Sequence, residues 1–315
     1  AGLTEDAYSF NQVTTVKHGH ITVKGQNSSL TLPSGEALVG DSTMPDLTVE
    51  GTILYTGTGA LEINGVDLGV KGDISGVNDI ALGNSQAAGM TLYANTWAHN
   101  KDNQYSFGDI TVGSNGTLTL VSYDNGDTNW TNDYGVSLNA TNLTVDAGGI
   151  ITANGLGYSR GPGSGDNGDT ERGGSYGGFG ANNLSFTQPY GNVYEPTDLG
   201  SGGGIRQAGG YKGGGAIRLI VSDTLTNDGT ITVNAEDYTR GGWDGGATGG
   251  SIWIDTETLH GIGVMTANGA RGYSGNGGAG GRIAVYYSTN SGFNLDSTHL
   301  QTRGAEGAGA GTVYI

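Results

Sequence analysis

Gly supplies 63 of the 315 residues, and only 14% of the chain is charged. Gly is costly inside helices and no stretch repeats apolar residues at helical spacing, so long helices are excluded; Gly follows no third-residue period and Pro totals 5, so neither collagen nor a disordered Pro-rich polymer fits. Lys and Arg total 13 against 30 Asp and Glu, a net charge of −17 that excludes a cationic nucleic-acid stripe and docking on anionic lipid.

The same acidic surplus suits an extracellular, salt-tolerant surface or one that holds divalent cations. Cys is absent, so there is no disulfide framework and no thiolate metal site. No apolar run is long enough to span a membrane as a helix, so no membrane insertion is expected. The opening Ala-Gly-Leu-Thr-Glu-Asp carries no leader pattern and reads as a processed or trimmed terminus. Sequons at Asn27, Asn115, Asn129, Asn139, Asn142 and Asn183 matter only in a glycosylating host.

Short alternating segments begin the chain. Ile21-Thr-Val23, Leu30-Thr-Leu32, Leu47-Thr-Val49 and Leu61-Glu-Ile63 place aliphatics at i and i+2, as half-buried strands do. Ile110-Thr-Val112 and Leu118-Thr-Leu120 continue the pattern, with Thr at the outward position that a solvated sheet favours. His18 and His20 point to one side of a strand, a spacing compatible with Zn²⁺, but no third His or Cys is near and an exposed strand explains them.

Trp97, Trp130 and Trp243 fall in turn-like contexts, where exposed indole faces stack on sugar rings and Asn, Asp and Thr supply hydrogen bonds. Asp124-Asn-Gly-Asp127-Thr128 recurs 42 residues later as Asp166-Asn-Gly-Asp169-Thr170. Oxygens bunched around a Gly turn are hard ligands suited to Ca²⁺, and Asn129, Asp133 and Glu171 lie close enough in sequence to add more. A solvated turn is the alternative, since these are turn-forming residues in any case.

The clearest regularity is a repeat. Gly215-Ala-Ile-Arg-Leu219, Gly250-Ser-Ile-Trp-Ile254, Gly281-Arg-Ile-Ala-Val285 and Gly311-Thr-Val-Tyr-Ile315 recur at spacings of 35, 31 and 30 residues. They align two aliphatic columns, with Arg218, Trp253, Ala284 and Tyr314 outward between them; that mixture argues against a flat ice-binding rank of Thr. A second set, Ile151-Thr-Ala-Asn154, Ile231-Thr-Val-Asn234, Met265-Thr-Ala-Asn268 and Leu300-Gln-Thr-Arg303, is preceded each time by a Leu-containing segment at Leu143, Leu225, Leu259 or Leu295. The spacing therefore predicts about three short strands per repeat, stacked on copies of themselves.

From Ile151 to Ile231 is 80 residues against 34 for the next interval, so the extra chain is an insertion within 155–215. It holds 21 Gly together with Tyr158, Tyr176, Phe179, Tyr190, Tyr194 and Tyr211. That is too long for an ordinary loop and too aromatic for a linker, and predicts an ordered excursion on one face. Its tyrosines either pin the excursion or meet a ligand. The GSGGG at 200–204 lacks the Lys and helix of a phosphate loop, and GGSYGG at 173–178 lacks the strand-turn-helix setting of a nucleophile elbow.

These features predict an all-β, single-domain parallel β-helix of about ten rungs spanning 1–315, with the Gly/Tyr-rich insertion on one face. A β-sandwich does not repeat one motif at fixed spacing. The strings GGGAIRLIVSDTLTNDGTITVNA (213–235), GGSIWIDTETLHGIGVMTANG (249–269), PTDLGSGGG (196–204) and GGAGGRIAVYY (277–287) resemble the Gly-rich repeats of prokaryotic cell-surface β-helix proteins, usually termed adhesin-like. The resemblance covers about Leu143 to Ile315, and it implies an architecture and no catalytic residues.

The expected function is a non-enzymatic extracellular structural or adhesive protein, a filament subunit or a module of a larger surface protein. The alternative is a polysaccharide-binding or polysaccharide-degrading β-helix protein, a lyase or hydrolase. Glu236, Asp237, Arg240 and Asp244 are candidate groups beside the insertion, although few basic residues exist to hold an acidic polymer. At the other end of the chain, Val313, Tyr314 and Ile315 continue the columns with no cap following. The reading offers head-to-tail self-association, further repeats of a longer chain, or a loop folding back over the strand.

Overall fold

The computed structural model describes the chain except residues 1, 4–6, 10–13, 17–19, 33–36, 41–45, 95–104, 128, 165–170, 183–186, 205–210, 238 and 240–242, with backbone alone for 2–20 and 37–40. Nearly all regular structure is β, and the strands form a ten-stranded, a twelve-stranded and a four-stranded sheet. The strand pairs are parallel; a lone bridge between Tyr123 and Tyr134 is antiparallel. No helix among the described residues is long and apolar enough to cross a membrane.

Alternation in the sequence becomes columns in the sheets. In the ten-stranded sheet Ile21, Leu47, Leu68, Met90, Leu118, Ile151, Ile231, Met265 and Leu300 follow one another in register. From Leu47 onward every member of that column is buried. In the twelve-stranded sheet Ile217, Ile252 and Ile283 form one buried column, and Leu219, Ile254 and Val285 the next. Parallel pairing about 4.8 Å apart sets like side chains over like, so each strand completes the core of its neighbour.

Two expectations need correction. Three strands per repeat occur in the N-terminal part, where a strand such as Ser29–Leu32 enters the four-stranded sheet. Toward the C-terminus the first strand and the Leu-containing segment are continuous. Ala216–Asn227 pairs with both Val136–Ala140 and Asn142–Val145, and a register shift between Val221 and Thr224 absorbs the bend in its pairing with Ser251–His260. Leu225 and Leu259 thus stack on Leu143, whereas Leu295 lies beyond the strand Arg282–Asn290 and packs on the core from a segment without strand structure.

The mixed outward row of Arg218 and Trp253 is likewise one of two. On the ten-stranded sheet the outward row reads Thr22, Thr48, Gly69, Thr91, Thr119, Thr152, Thr232, Thr266 and Gln301. A rank dominated by Thr is therefore present, on the sheet that the second set of repeat segments forms, with Thr232 and Thr266 buried within it.

The recurring Asn of the Thr-Ala/Val-Asn segments has a structural task. Asn154 Oδ1 accepts the N–H of Asn234 at 2.6 Å, Asn234 Oδ1 that of Asn268 at 2.7 Å, and Asn268 Oδ1 that of Arg303 at 2.8 Å. This ladder satisfies backbone donors where the chain leaves the sheet.

No strand is found between Thr152 and Ala216 among the described residues, yet the segment is held tightly. Tyr158, Tyr176 and Tyr211 are buried, so these tyrosines pin the excursion. Its Gly runs lie against the Gly runs of the later repeats and join them through backbone bonds. Gly174 N–H donates to Gly246 O at 2.9 Å, Gly214 N–H to Thr248 O at 2.9 Å, and Gly177 N–H to Gly280 O at 3.0 Å. A Cβ on Gly173 would stand 1.7 Å from the carbonyl oxygen of Gly277, so no side chain fits there.

Gly173→Ala should therefore lower unfolding free energy by at least about 1–3 kcal/mol, the range for overpacking a filled site. Gly59→Ala, where nothing lies within 4 Å of the added carbon, should change it by less than about 0.5 kcal/mol. Urea melts of the two variants check the contrast.

Candidate functional site

The outward row of the twelve-stranded sheet carries a polar cleft. Register sets Ser137 beside Arg218 and Arg218 beside Trp253, on the strands Val136–Ala140, Ala216–Asn227 and Ser251–His260. Their side chains form the floor of a cleft of about 430 Å³, within the size range of small-molecule sites. Arg218 lies over the Trp253 ring, 4.2 Å from its centroid, a cation–π contact that fixes both side chains.

One wall comes from the loop before Val136. Trp130 begins a short 3₁₀ turn and packs edge-on against Tyr158, with ring centroids 5.0 Å apart. Tyr134 is held by its bridge to Tyr123. Between them Asp133 is buried; its Oδ1 accepts the N–H of Asn125 at 3.1 Å, while Oδ2 makes no hydrogen bond of ordinary geometry. Tyr158 lies near enough for the two groups to influence each other's ionisation, although its hydroxyl is 3.5 Å from the Trp130 carbonyl.

The facing wall is Glu195, Pro196, Thr197 and Asp198 of the insertion. Several bonds fix it. Ser251 Oγ donates to Asp198 O, Tyr190 Oη donates to Leu199 O at 2.6 Å, and Tyr286 Oη donates to Tyr194 O at 3.0 Å. Buried Arg282 holds the carbonyl of Tyr190 through Nε at 3.1 Å and Nη2 at 2.6 Å, and lies against the Tyr176 ring. Its charge is therefore committed to the scaffold.

Three acidic residues thus line one cleft: Asp133, Glu195 and Asp198. Burial raises Asp133 above the usual aspartate value; hydrogen bonding with Asn125 and Tyr158 opposes the rise, and the charges of Asp124 and Asp127 add to it. Burial also raises Asp198, with the charge of Arg282 pulling the other way. Tyr158 is pushed well up by burial and by the charges of Asp133 and Asp198 together.

Of the sequence-derived candidates, Trp130 belongs to this cleft. Trp243 is 41% exposed elsewhere, stacked on Tyr273 at 4.8 Å. Glu236 accepts the N–H of Lys212, Asp237 is exposed and Asp244 is fully buried; none of the three lines this cleft. Trp97, Asp166, Asp169, Arg240, His18 and the side chain of His20 lie outside the described residues.

Asp124 and Asp127 cap their own turn, accepting from Gly126 N–H at 2.9 Å and Asn129 N–H at 2.6 Å. Among the described residues no three His, Asp or Glu side chains gather as metal ligands would. Val313 pairs with Ile283 yet is 39% exposed, Ile315 is 50% exposed, and Tyr314 packs on Tyr194 at 4.9 Å.

Sequence reasoning saw Arg218 and Trp253 only as outward positions, Asp133 only as a neighbour of the acidic turn, and Glu195 and Asp198 not at all. Fixed spacing reveals which residues share a row. It does not reveal which part of an insertion returns to cover that row.

The raised carboxyls give a pH signature. A carboxyl with a raised folded value stabilises the fold fully below its unfolded value and loses that contribution as pH rises through the folded one. The contribution of these two carboxyls should therefore fall as pH climbs above the ordinary aspartate value of 3.8, and an Asp133→Asn/Asp198→Asn variant, which cannot ionise there, should lose less stability over that rise than wild type. Parallel melting profiles of wild type and variant would contradict this.

Comparison with protein-family models, with curated proteins and with solved structures returns no match.

Proposed function

We propose that this protein is an extracellular carbohydrate-binding protein built on a parallel β-helix, with adhesion to neutral glycans as its activity. The β-helix reading rests on strand order: in the N-terminal part successive strands visit three sheets in turn, and each pairs with the strand three places on. The surface location rests on the acidic composition and on the Gly-rich repeats.

One observation carries the glycan reading. The Arg218–Trp253 stack, Trp130 and Tyr134 line the same cleft as Ser137, Thr197 and the three carboxylates. Aromatic faces beside convergent hydrogen-bonding groups suit sugar rings, which present an apolar face and a polar rim. Charge selects among sugars. The cleft carries one arginine against Asp133, Glu195 and Asp198 on a chain of net charge −17, so a polyanion is repelled and a neutral glycan is not.

Calorimetric titration with neutral gluco-, xylo- and manno-oligosaccharides should find a ligand. Trp253→Ala combined with Trp130→Ala should then weaken it at least about tenfold, or about 1.4 kcal/mol. Absence of binding across the panel, or undiminished affinity in the double variant, overturns the reading.

A second reading has its own support in the exposed Val313 and Ile315 beside the edge strand Thr312–Tyr314. Unpaired strand edges with apolar side chains accept another strand, from a second copy or from further repeats. Self-association through this edge predicts that Val313→Asp/Ile315→Asp reduces particle size in light scattering. A wild type that stays monomeric at high concentration removes it.

A further inference from the structure

We propose that Asn125 is a site of spontaneous covalent modification: the Gly126 nitrogen attacks its side-chain carboxamide, Asp124 takes the proton, and the ring so formed opens to aspartate or isoaspartate. The site lies in the exposed acidic turn 124–127 and stands apart from the glycan-binding reading.

Asn-Gly pairs are open to this chemistry because Gly has no side chain to shield its nitrogen. Among the described residues there are six such pairs. In five of them, those at Asn64, Asn115, Asn154, Asn268 and Asn276, the Gly N–H donates to a main-chain carbonyl at 2.8 to 3.2 Å. A peptide carbonyl is too weak a base to take that proton, and the bond ties the nitrogen into the scaffold. Gly126 differs. Its N–H donates to Asp124 Oδ1 at 2.9 Å, a carboxylate that can receive the proton.

The same turn positions the electrophile. Asn125 Oδ1 accepts the N–H of Asp127 at 2.9 Å, a bond that folds the side chain back along its own backbone and turns Cγ toward the next peptide nitrogen. That donor also draws charge from the carbonyl, as a donor does at a developing oxyanion. Asn125 Nδ2, the leaving nitrogen, donates to Asp127 Oδ2 at 3.0 Å. Gly126 has a φ of 74°, and nothing lies within 4 Å of a carbon added to it. Residues 124–127 are all exposed, so water reaches the ring and ammonia can leave.

The reaction balances with water alone. The Gly126 nitrogen bonds to Asn125 Cγ while its proton passes to the Asp124 carboxylate. The Cγ–Nδ2 bond then breaks, and Nδ2 leaves as ammonia with the proton that Asp124 passes on through water. A second water adds to one of the two ring carbonyls and reopens the ring, leaving an aspartate or, with the chain rerouted through the side chain, an isoaspartate. One water is consumed, one ammonia is released, and nothing is oxidised or reduced. The product adds a negative charge to the turn whose Asn125 N–H holds Asp133 on the cleft wall.

The test is peptide mapping by mass spectrometry of the folded protein held at neutral pH, reading the amide-to-acid mass gain and the isoaspartate at each Asn-Gly pair over time. Asn125 should react at least about tenfold faster than Asn115, which is also exposed but has its Gly N–H on a carbonyl. Asp124→Asn keeps an acceptor for Gly126 N–H and removes the base, so it should bring Asn125 down to the Asn115 rate. In urea, where the turn is lost, wild-type Asn125 and Asn115 should react alike. Equal native rates at the two sites, or a native Asn125 rate unchanged by Asp124→Asn, overturn the proposal. A preference for Asn125 that persists in urea overturns the role of the folded turn. A melting curve checks that the variant is folded, and if it is not, Asp124→Ser replaces it with the same expectation.

Discussion

The structure depends on backbone meeting backbone with nothing between. Where Gly173 approaches Gly277, or Gly250 approaches Gly215, the distance leaves no room for even a methyl group. Segments without strand structure then gain what strands gain by pairing, since their N–H and C=O groups bond to one another across the Gly runs. A methyl group at such a site would break several of these contacts together. The high Gly content is thus a requirement of packing, and its entropic cost is offset by satisfied backbone groups and buried tyrosines.

This packing gives the insertion a fixed position over the sheet. The stacked columns alone repeat one strand arrangement along each sheet. The insertion breaks that uniformity once, and the wall from Glu195 to Asp198 stands where it does because Tyr190, Arg282 and Ser251 hold its neighbours. Arg282 is central. Its guanidinium bonds the Tyr190 carbonyl, packs on Tyr176 and reaches Thr312 at 3.0 Å, tying two points of the insertion to the strands Arg282–Asn290 and Thr312–Tyr314. The cleft follows from these bonds, with a floor set by strand register and a wall set by Gly packing.

The two halves of that construction differed in how far the sequence revealed them. Columns such as Ile151, Ile231, Met265 and Leu300 were legible because a fixed interval is preserved in any parallel stack. The position of the insertion was legible as a broken interval, and its burial was legible in its tyrosines. Continuity of Ala216–Asn227 across two shorter strands was not, because the turn-forming Ser222 and Asp223 interrupt the alternation at the bulge and read as a break between strands. Thr was legible as the outward residue of single strands, but the continuity of its row was not, because the members in the N-terminal part come from strands at irregular spacing. Asp198 was invisible as a site residue, since its place depends on contacts as distant as Ser251.

The most direct test of the account is a crystal structure of the protein soaked with the neutral oligosaccharide that binds it. The account places a sugar ring in the cleft, against Trp253 or Trp130, with its hydroxyls bonded to Asp133 and Asp198. A sugar bound elsewhere, on the Thr row or beside Trp243, with the cleft between Trp130 and Asp198 unfilled, would contradict it.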